Sequence, residues 1–332
     1  MTGSATILGL AGPTLGPDEA AFFRAADPWG FILFARNVED PAQLTRLTSD
    51  LRAAVGRDCP ILVDQEGGRV QRLRAPHWRE YLPPLDQVAA AGPHAARSLW
   101  LRARLIAEEL RAVGIDANCA PTADIAGADT HPFLRNRCFG SDAATVIAHA
   151  RTTAEGLLAG GVLPIIKHMP GHGRATADSH HDLPLVDADA DTLFAKDFKV
   201  FEALADLPLA MTSHVCYTAF DAAPATQSAV MVDLMRGKIG FDGLLMTDDL
   251  SMQALAGSIG ERAARAMAAG CDIALHCNGK MPEMQEVVAA AGTLSPQADA
   301  RAARALTWRR APEPADIPAL LAELAEMLPA HV

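Results

Sequence analysis

Residues 163–181 carry the densest chemistry in the chain. The apolar run Leu163-Pro164-Ile165-Ile166 passes directly into Lys167-His168-Met169-Pro170-Gly171-His172-Gly173-Arg174, and Asp178-Ser179-His180-His181 follows. Strand residues such as Ile165 and Ile166 can bury themselves, whereas Lys167, His168, Asp178 and His180 are costly to bury without partners and belong at a wet, functional mouth. Asp178 stands two residues before His180. In a turn its carboxylate can accept the ring N–H, fix the tautomer and raise the basicity of the imidazole, which makes His180 a candidate proton shuttle. Ser179 lacks the G-x-S-x-G strand-to-helix elbow of a hydrolase nucleophile and reads as a loop residue. Gly171-His172-Gly173 has no third glycine at the offset a dinucleotide site requires.

Other candidates stand immediately after other apolar runs. Runs at 5–10, 30–34, 61–63, 117–120, 163–166, 209–211, 243–246 and 272–275 read as strands, and helical patterns fit 17–26, 41–55, 95–113, 143–159, 258–269, 281–291 and 316–327. About eight β-then-α units without a composition break predict a single (β/α)8 barrel domain over 1–332. In that fold the carboxyl ends of the strands form the active face. After the third strand comes Asp64-Gln65-Glu66-Gly67-Gly68-Arg69-Val70-Gln71-Arg72, and after the fourth Asp124 and later Arg137. Lys167 and His168 follow the fifth, His214 the sixth, and Asp248 and Asp249 the seventh. Singly each has a structural explanation: Asp249 capping a turn near Leu250, Arg69 or Arg72 as a surface cation, His214 as a satisfied core histidine. Their recurrence on one rim points instead to a shared site.

The composition narrows the ligand. The chain has 332 residues, half of them hydrophobic, and 40 acidic against 29 basic residues give a net charge of −11. No basic run could neutralise a phosphate backbone, so no nucleic-acid partner is expected. The N-terminus lacks a positive n-region, and the apolar stretch 5–11 is too short for a signal h-region or a membrane span; a cytoplasmic protein with no membrane partner is the expectation. The six cysteines show no C-x-x-C pair and suit reduced, buried thiols. His168, His172, His180 and His181 match no zinc-site spacing and lie beside cations, so neither a metal nor a cofactor is expected.

Asp248 at a strand end, facing a histidine across one substrate bond, is glycosidase logic with a histidine in place of the second carboxylate. Asp64, Arg72, Arg137, Lys167 and His168 would then bond sugar hydroxyls, which both donate and accept.

At these residues the sequence resembles the β-N-acetylhexosaminidases of glycoside hydrolase family 3, in the single-domain branch of bacterial cell-wall recycling. The likeness spans nearly the whole chain and rests on residues 64–72, on 167–173 with Asp178-Ser179-His180, and on Thr247-Asp248-Asp249-Leu250-Ser251-Met252. It implies a barrel that removes non-reducing terminal N-acetylglucosamine from 1,6-anhydro-muropeptides, with or without the peptide, by a retaining mechanism. Asp248 would be the nucleophile and His180 the acid/base, assisted by Asp178, with Asp64, Arg72, Arg137, Lys167 and His168 at sugar-binding positions. A monomer is expected. Cys138 stands where serine is common, Met169 where an aromatic is common, and His181 is an additional titratable group. The alternatives left open are a substrate-assisted hexosaminidase using the Asp248-Asp249 pair, a phosphorylase using the same dyad, and a non-catalytic muropeptide sensor. The length of 169–183 and its two glycines predict a mobile lid.

Overall fold

In the computed structural model, which describes residues 3–175 and 183–328, the eight apolar runs become eight parallel strands. They are β1 (Ser4–Leu8), β2 (Pro28–Leu33), β3 (Ile61–Val63), β4 (Ala117–Asn118), β5 (Leu163–Met169), β6 (Leu209–Thr212), β7 (Leu244–Met246) and β8 (Ala274–His276). The hydrogen-bonded order is β7-β6-β5-β4-β3-β2-β1-β8. A parallel bridge between Met246 and Ile273 joins the two ends and closes the ring, so the expected (β/α)8 barrel is the observed fold.

Alternation along each strand divides the core. Ile7, Ile32, Leu62, Ala117, Leu163, Ile165, Leu209, Met211, Leu244, Met246 and Leu275 form one cluster drawn from all eight strands, which is the filled barrel interior. Their neighbours Leu8, Phe31, Leu33, Ile61 and Val63 point the other way, into a cluster shared with the surrounding helices. The strands are short because only a few residues of each need cross this packed centre. The chemistry begins where the apolar residues stop.

Helices Pro17–Ala26, Pro41–Val55, Ala143–Ala159 and Met281–Ala291 have the expected bounds, and Ala95–Ala112, Ile259–Ala269 and Ile317–Met327 differ by a residue. Their starts are chemically marked: Asp40 and Asp142 accept the amides of Gln43 and Thr145, and Ser258 with Glu261 forms a capping box. Helix Ile317–Met327 packs on Ala95–Ala112, burying Leu324.

Sequence reasoning missed several elements: helices Pro84–Ala91, Ala190–Ala195, Asp197–Ala203, Ala229–Gly237 and Pro296–Leu306, a hairpin of Gln65–Gly67 with Val70–Gln71, and a ribbon of Leu185–Val186 with Cys216–Tyr217. The hairpin bears on the site. Gly67 (φ 98°) and Gly68 (φ 58°) make its turn in the left-handed region. A Cβ on Gly67 would sit 2.3 Å from Nη2 of Arg102. Among the described residues no helix is long and apolar enough to cross a membrane.

Candidate active site

Asp64 leaves β3 at the barrel mouth, and Glu66 lies two residues on in extended backbone, so both side chains return to the same side. Lys167, at the end of β5, reaches between them: its Nζ is 2.8 Å from Asp64 Oδ1 and 2.5 Å from Glu66 Oε1. Arg72, carried back by the hairpin, donates to the other oxygen of Asp64 at 3.0 Å. Arg137 forks onto Glu66, with Nε to Oε2 at 2.9 Å and Nη2 to Oε1 at 2.8 Å. Every cation in this cluster is therefore ion-paired and aimed before any ligand arrives.

The fields follow from this geometry. Burial alone would raise the Asp64 carboxyl, but Lys167 and Arg72 hold it well below the usual carboxylate range. Burial opposes ionisation of Glu66 too, and the Arg137 and Lys167 charges overcome it, leaving the carboxyl at about 2. Lys167 and Arg137 are likewise kept cationic despite burial, by Asp64 and Glu66 in the first case and chiefly by Glu66 in the second.

Beside this cluster, His168 is buried and Nδ1 lies 2.7 Å from Asp124 Oδ2. Burial works against the Asp124 carboxylate, yet His168 and His172 hold its pKa below the ordinary value. His172 is pushed down to about 4 by burial, with His168 adding to the effect. His214 is fully buried, with Nδ1 2.8 Å from Thr226 Oγ1 and Nε2 donating to the carbonyl of Asp249 at 2.9 Å. It matches the description of a satisfied core histidine.

Asp248 and Asp249 separate cleanly. Asp249 Oδ1 accepts from the amides of Ser251 (3.0 Å) and Cys277 (3.1 Å), and its Oδ2 accepts the Ser251 hydroxyl at 2.6 Å. Its carboxylate staples the loop after β7 to the end of β8. Asp248 is half-buried on the cleft wall, and the amide of Asp249 donates to its Oδ1 at 2.8 Å. Burial would raise its pKa, but His214, His168 and that amide keep it ionised.

A cleft of about 220 Å³ opens over these groups, lined by Asp64, Arg72, Arg137, Lys167, His168 and Asp248, and by the apolar Phe34, Phe133 and Met252. All six expected site residues that fall within the described part of the chain thus share one cavity. Asp178, His180 and His181 lie in residues 176–182, outside the described residues. Sequence reasoning placed Asp124, and the run containing Glu66, on the rim but gave neither residue a role in the site. For Glu66 the i, i+2 spacing from Asp64 was the available signal.

Of the segment expected to form a lid, Met169 to Ala175 is tied to neighbouring elements: Tyr217 donates to the Gly171 carbonyl at 2.7 Å, Thr130 to that of Gly173, and Arg174 pairs with Asp197 at 2.6 Å. Met169 and Cys138 are fully buried, and burial lifts the Cys138 thiol far above its ordinary range, so it is a packing residue rather than a nucleophile.

The chain's relatives agree with this architecture. Residues 27–307 match the glycosyl hydrolase family 3 N-terminal domain. A beta-hexosaminidase of Bordetella avium is 36% identical over 312 residues, covering 92% of this chain and 88% of that protein. One of Methylococcus capsulatus is 39% identical over 280 residues, covering 81% of each. Among solved structures, NagZ from Neisseria gonorrhoeae in complex with N-trifluoroacetyl-D-glucosamine superposes with a TM-score of 0.87 at 29% identity, covering 99% of both chains. The beta-N-acetylhexosaminidase of Beutenbergia cavernae gives 0.75 at 31% identity, covering 97% of this chain and 96% of that one. With a parallel barrel and a charge-paired cleft at the carboxyl ends of its strands, the chain belongs to glycosyl hydrolase family 3 and is a glycoside hydrolase.

Proposed function

We propose that this chain, a β-N-acetylhexosaminidase, removes non-reducing terminal N-acetylglucosamine from 1,6-anhydro-muropeptides during bacterial cell-wall recycling, as a monomeric, cytoplasmic, single-domain enzyme. Asp248 attacks the anomeric carbon to form a glycosyl-enzyme. His180, assisted by Asp178, protonates the leaving oxygen and then takes a proton from the water that releases the sugar. Asp64, Arg72, Arg137, Lys167 and His168 bind the hydroxyls of that sugar.

The observation that carries this reading is the difference between the paired aspartates. Asp249 spends its carboxylate on Ser251 and Cys277, while Asp248 stands ionised on the cleft wall. That favours a covalent nucleophile over a substrate-assisted pair, which would need both carboxylates turned to the acetamido group. Arg72, Lys167 and Arg137 are matched by Asp64, Glu66 and the ionised Asp248, so the cleft offers a phosphate co-substrate no excess positive charge, favouring hydrolysis over phosphorolysis.

A fluorinated N-acetylglucosaminyl donor that slows deglycosylation tests the reading. Mass spectrometry of the trapped enzyme should place the added sugar on the peptide containing Asp248. An adduct elsewhere, or no adduct alongside turnover, overturns the assignment; phosphate-dependent release of a sugar phosphate overturns hydrolysis.

A further inference from the structure

Asp124 follows β4 and is fully buried, with no solvent to satisfy it. Its two oxygens serve two parts of one segment. Oδ2 lies 2.7 Å from Nδ1 of His168, and Oδ1 accepts the backbone amide of His172 at 2.6 Å. The amide of His168 approaches both oxygens at 3.3 Å. On the far side of the imidazole, Nε2 is 3.4 Å from Nη2 of Arg137.

These partners leave no choice of tautomer. An ionised carboxylate only accepts hydrogen bonds and a guanidinium only donates them. The proton must therefore sit on Nδ1, toward Asp124, and the lone pair on Nε2, toward Arg137 and the cleft. Arg72, Arg137 and Lys167 are all donors, so a hydroxyl that accepts from one of them still needs somewhere to place its own hydrogen. Nε2 of His168 is such a place, because its single lone pair is held only by the long 3.4 Å contact with Arg137, which a hydroxyl can displace.

We propose that Asp124 is a positioning residue that fixes His168 as a hydrogen-bond acceptor, so that Nε2 takes the hydrogen of a sugar hydroxyl whose oxygen accepts from the neighbouring cations. The identity of the ligand rests on the glycosidase reading given above; the placement of the proton does not. The same carboxylate ties down the His172 amide, so the ring and the beginning of the segment that leads toward His180 share one anchor.

Replacing the carboxylate by an amide breaks this arrangement. In Asp124→Asn, one of the two N–H donors, from the ring or from His172, must face an NH2 group. Where the NH2 faces the ring, the ring can adapt only by moving its proton to Nε2, where it meets the N–H of Arg137.

The test begins with wild-type enzyme, without ligand. Imidazole ¹⁵N–¹H correlation spectra, with His168 identified by the signal missing in His168→Gln, should show Nδ1 protonated and Nε2 bare. A His168 protonated on Nε2 overturns the proposal with no mutant required at position 124. In folded Asp124→Asn, judged by an unchanged melting profile, the His168 proton should move to Nε2, and KM for an aryl N-acetylglucosaminide should rise about tenfold or more while kcat falls less. An unchanged tautomer with unchanged KM overturns it, as does a loss confined to kcat. If the wild-type enzyme does not cleave the N-acetylglucosaminide, the functional reading fails while the spectra still decide the tautomer.

Discussion

The backbone amide of Asp249 donates to Oδ1 of Asp248 at 2.8 Å, while the side chain of Asp249 turns away to hold Ser251 and Cys277. One residue thus orients its neighbour through the main chain and fixes the loop through its carboxylate. Substitution should separate these duties. Asp248→Asn should keep the melting temperature and lose roughly 10³-fold or more in turnover. Asp249→Ala should lose about 2 kcal/mol of stability, since three donors lose their acceptor, with a smaller loss of activity. Thermal melts beside a chromogenic N-acetylglucosaminide assay distinguish the two. A reversed pattern would mean the nucleophile is Asp249.

His180→Ala should discriminate between leaving groups. An aryl glycoside with an acidic phenol leaves without protonation, whereas an alkyl or saccharide aglycone needs the proton. The expected result is a far larger fall in glycosylation rate for the second kind of substrate. Equal slowing of both would assign His180 to sugar positioning alone.

Glu66 should make the enzyme acid-sensitive. Its carboxyl sits at about 2 in the fold against an ordinary value of 4.5. The unfolded chain therefore binds the proton first, and the stabilisation present above pH 4.5 is lost as pH falls toward 2. His172, lowered to about 4 from 6.5, acts in the same direction between those two values. Urea midpoints measured from pH 7 to pH 3 should fall along both windows. Glu66→Gln should flatten the lower one and cost about 3 kcal/mol at pH 7, because Arg137 and Lys167 each lose a buried counter-charge.

Cys138 should resist thiol reagents in the native enzyme, being fully buried with its thiol raised by burial. Labelling at this position should appear only on unfolding. Cys138→Ser, which can still donate to the Leu134 carbonyl that the thiol now approaches at 3.5 Å, should change turnover by less than about twofold.

The barrel strands were legible because each is an apolar run that must cross a filled interior, and polar residues beginning abruptly after such runs located the rim. Several helices with expected bounds carry caps that are visible in sequence, Asp40 and Asp142 among them. The pair Ala190–Ala195 and Asp197–Ala203 is broken at Lys196 into lengths too short for a clear period, and Ala229–Gly237 is only about two and a half turns. Within the site, Asp64, Arg72, Arg137, Lys167, His168 and Asp248 could be named from position alone. The roles of Glu66, Asp124 and Asp249 could not, because each depends on a partner at least 28 residues away, at Arg137, His168 or Cys277.

The pairing of Lys167 with Asp64 and Glu66, and of Arg137 with Glu66, has a consequence for how the cleft meets its solution. Because the cations are neutralised internally at distances far below the Debye length of about 8–10 Å, added salt finds little uncompensated charge to screen there. An uncharged sugar entering such a cleft displaces water rather than counter-ions. Its binding should be nearly indifferent to ionic strength, even though the protein as a whole carries a formal charge of −11.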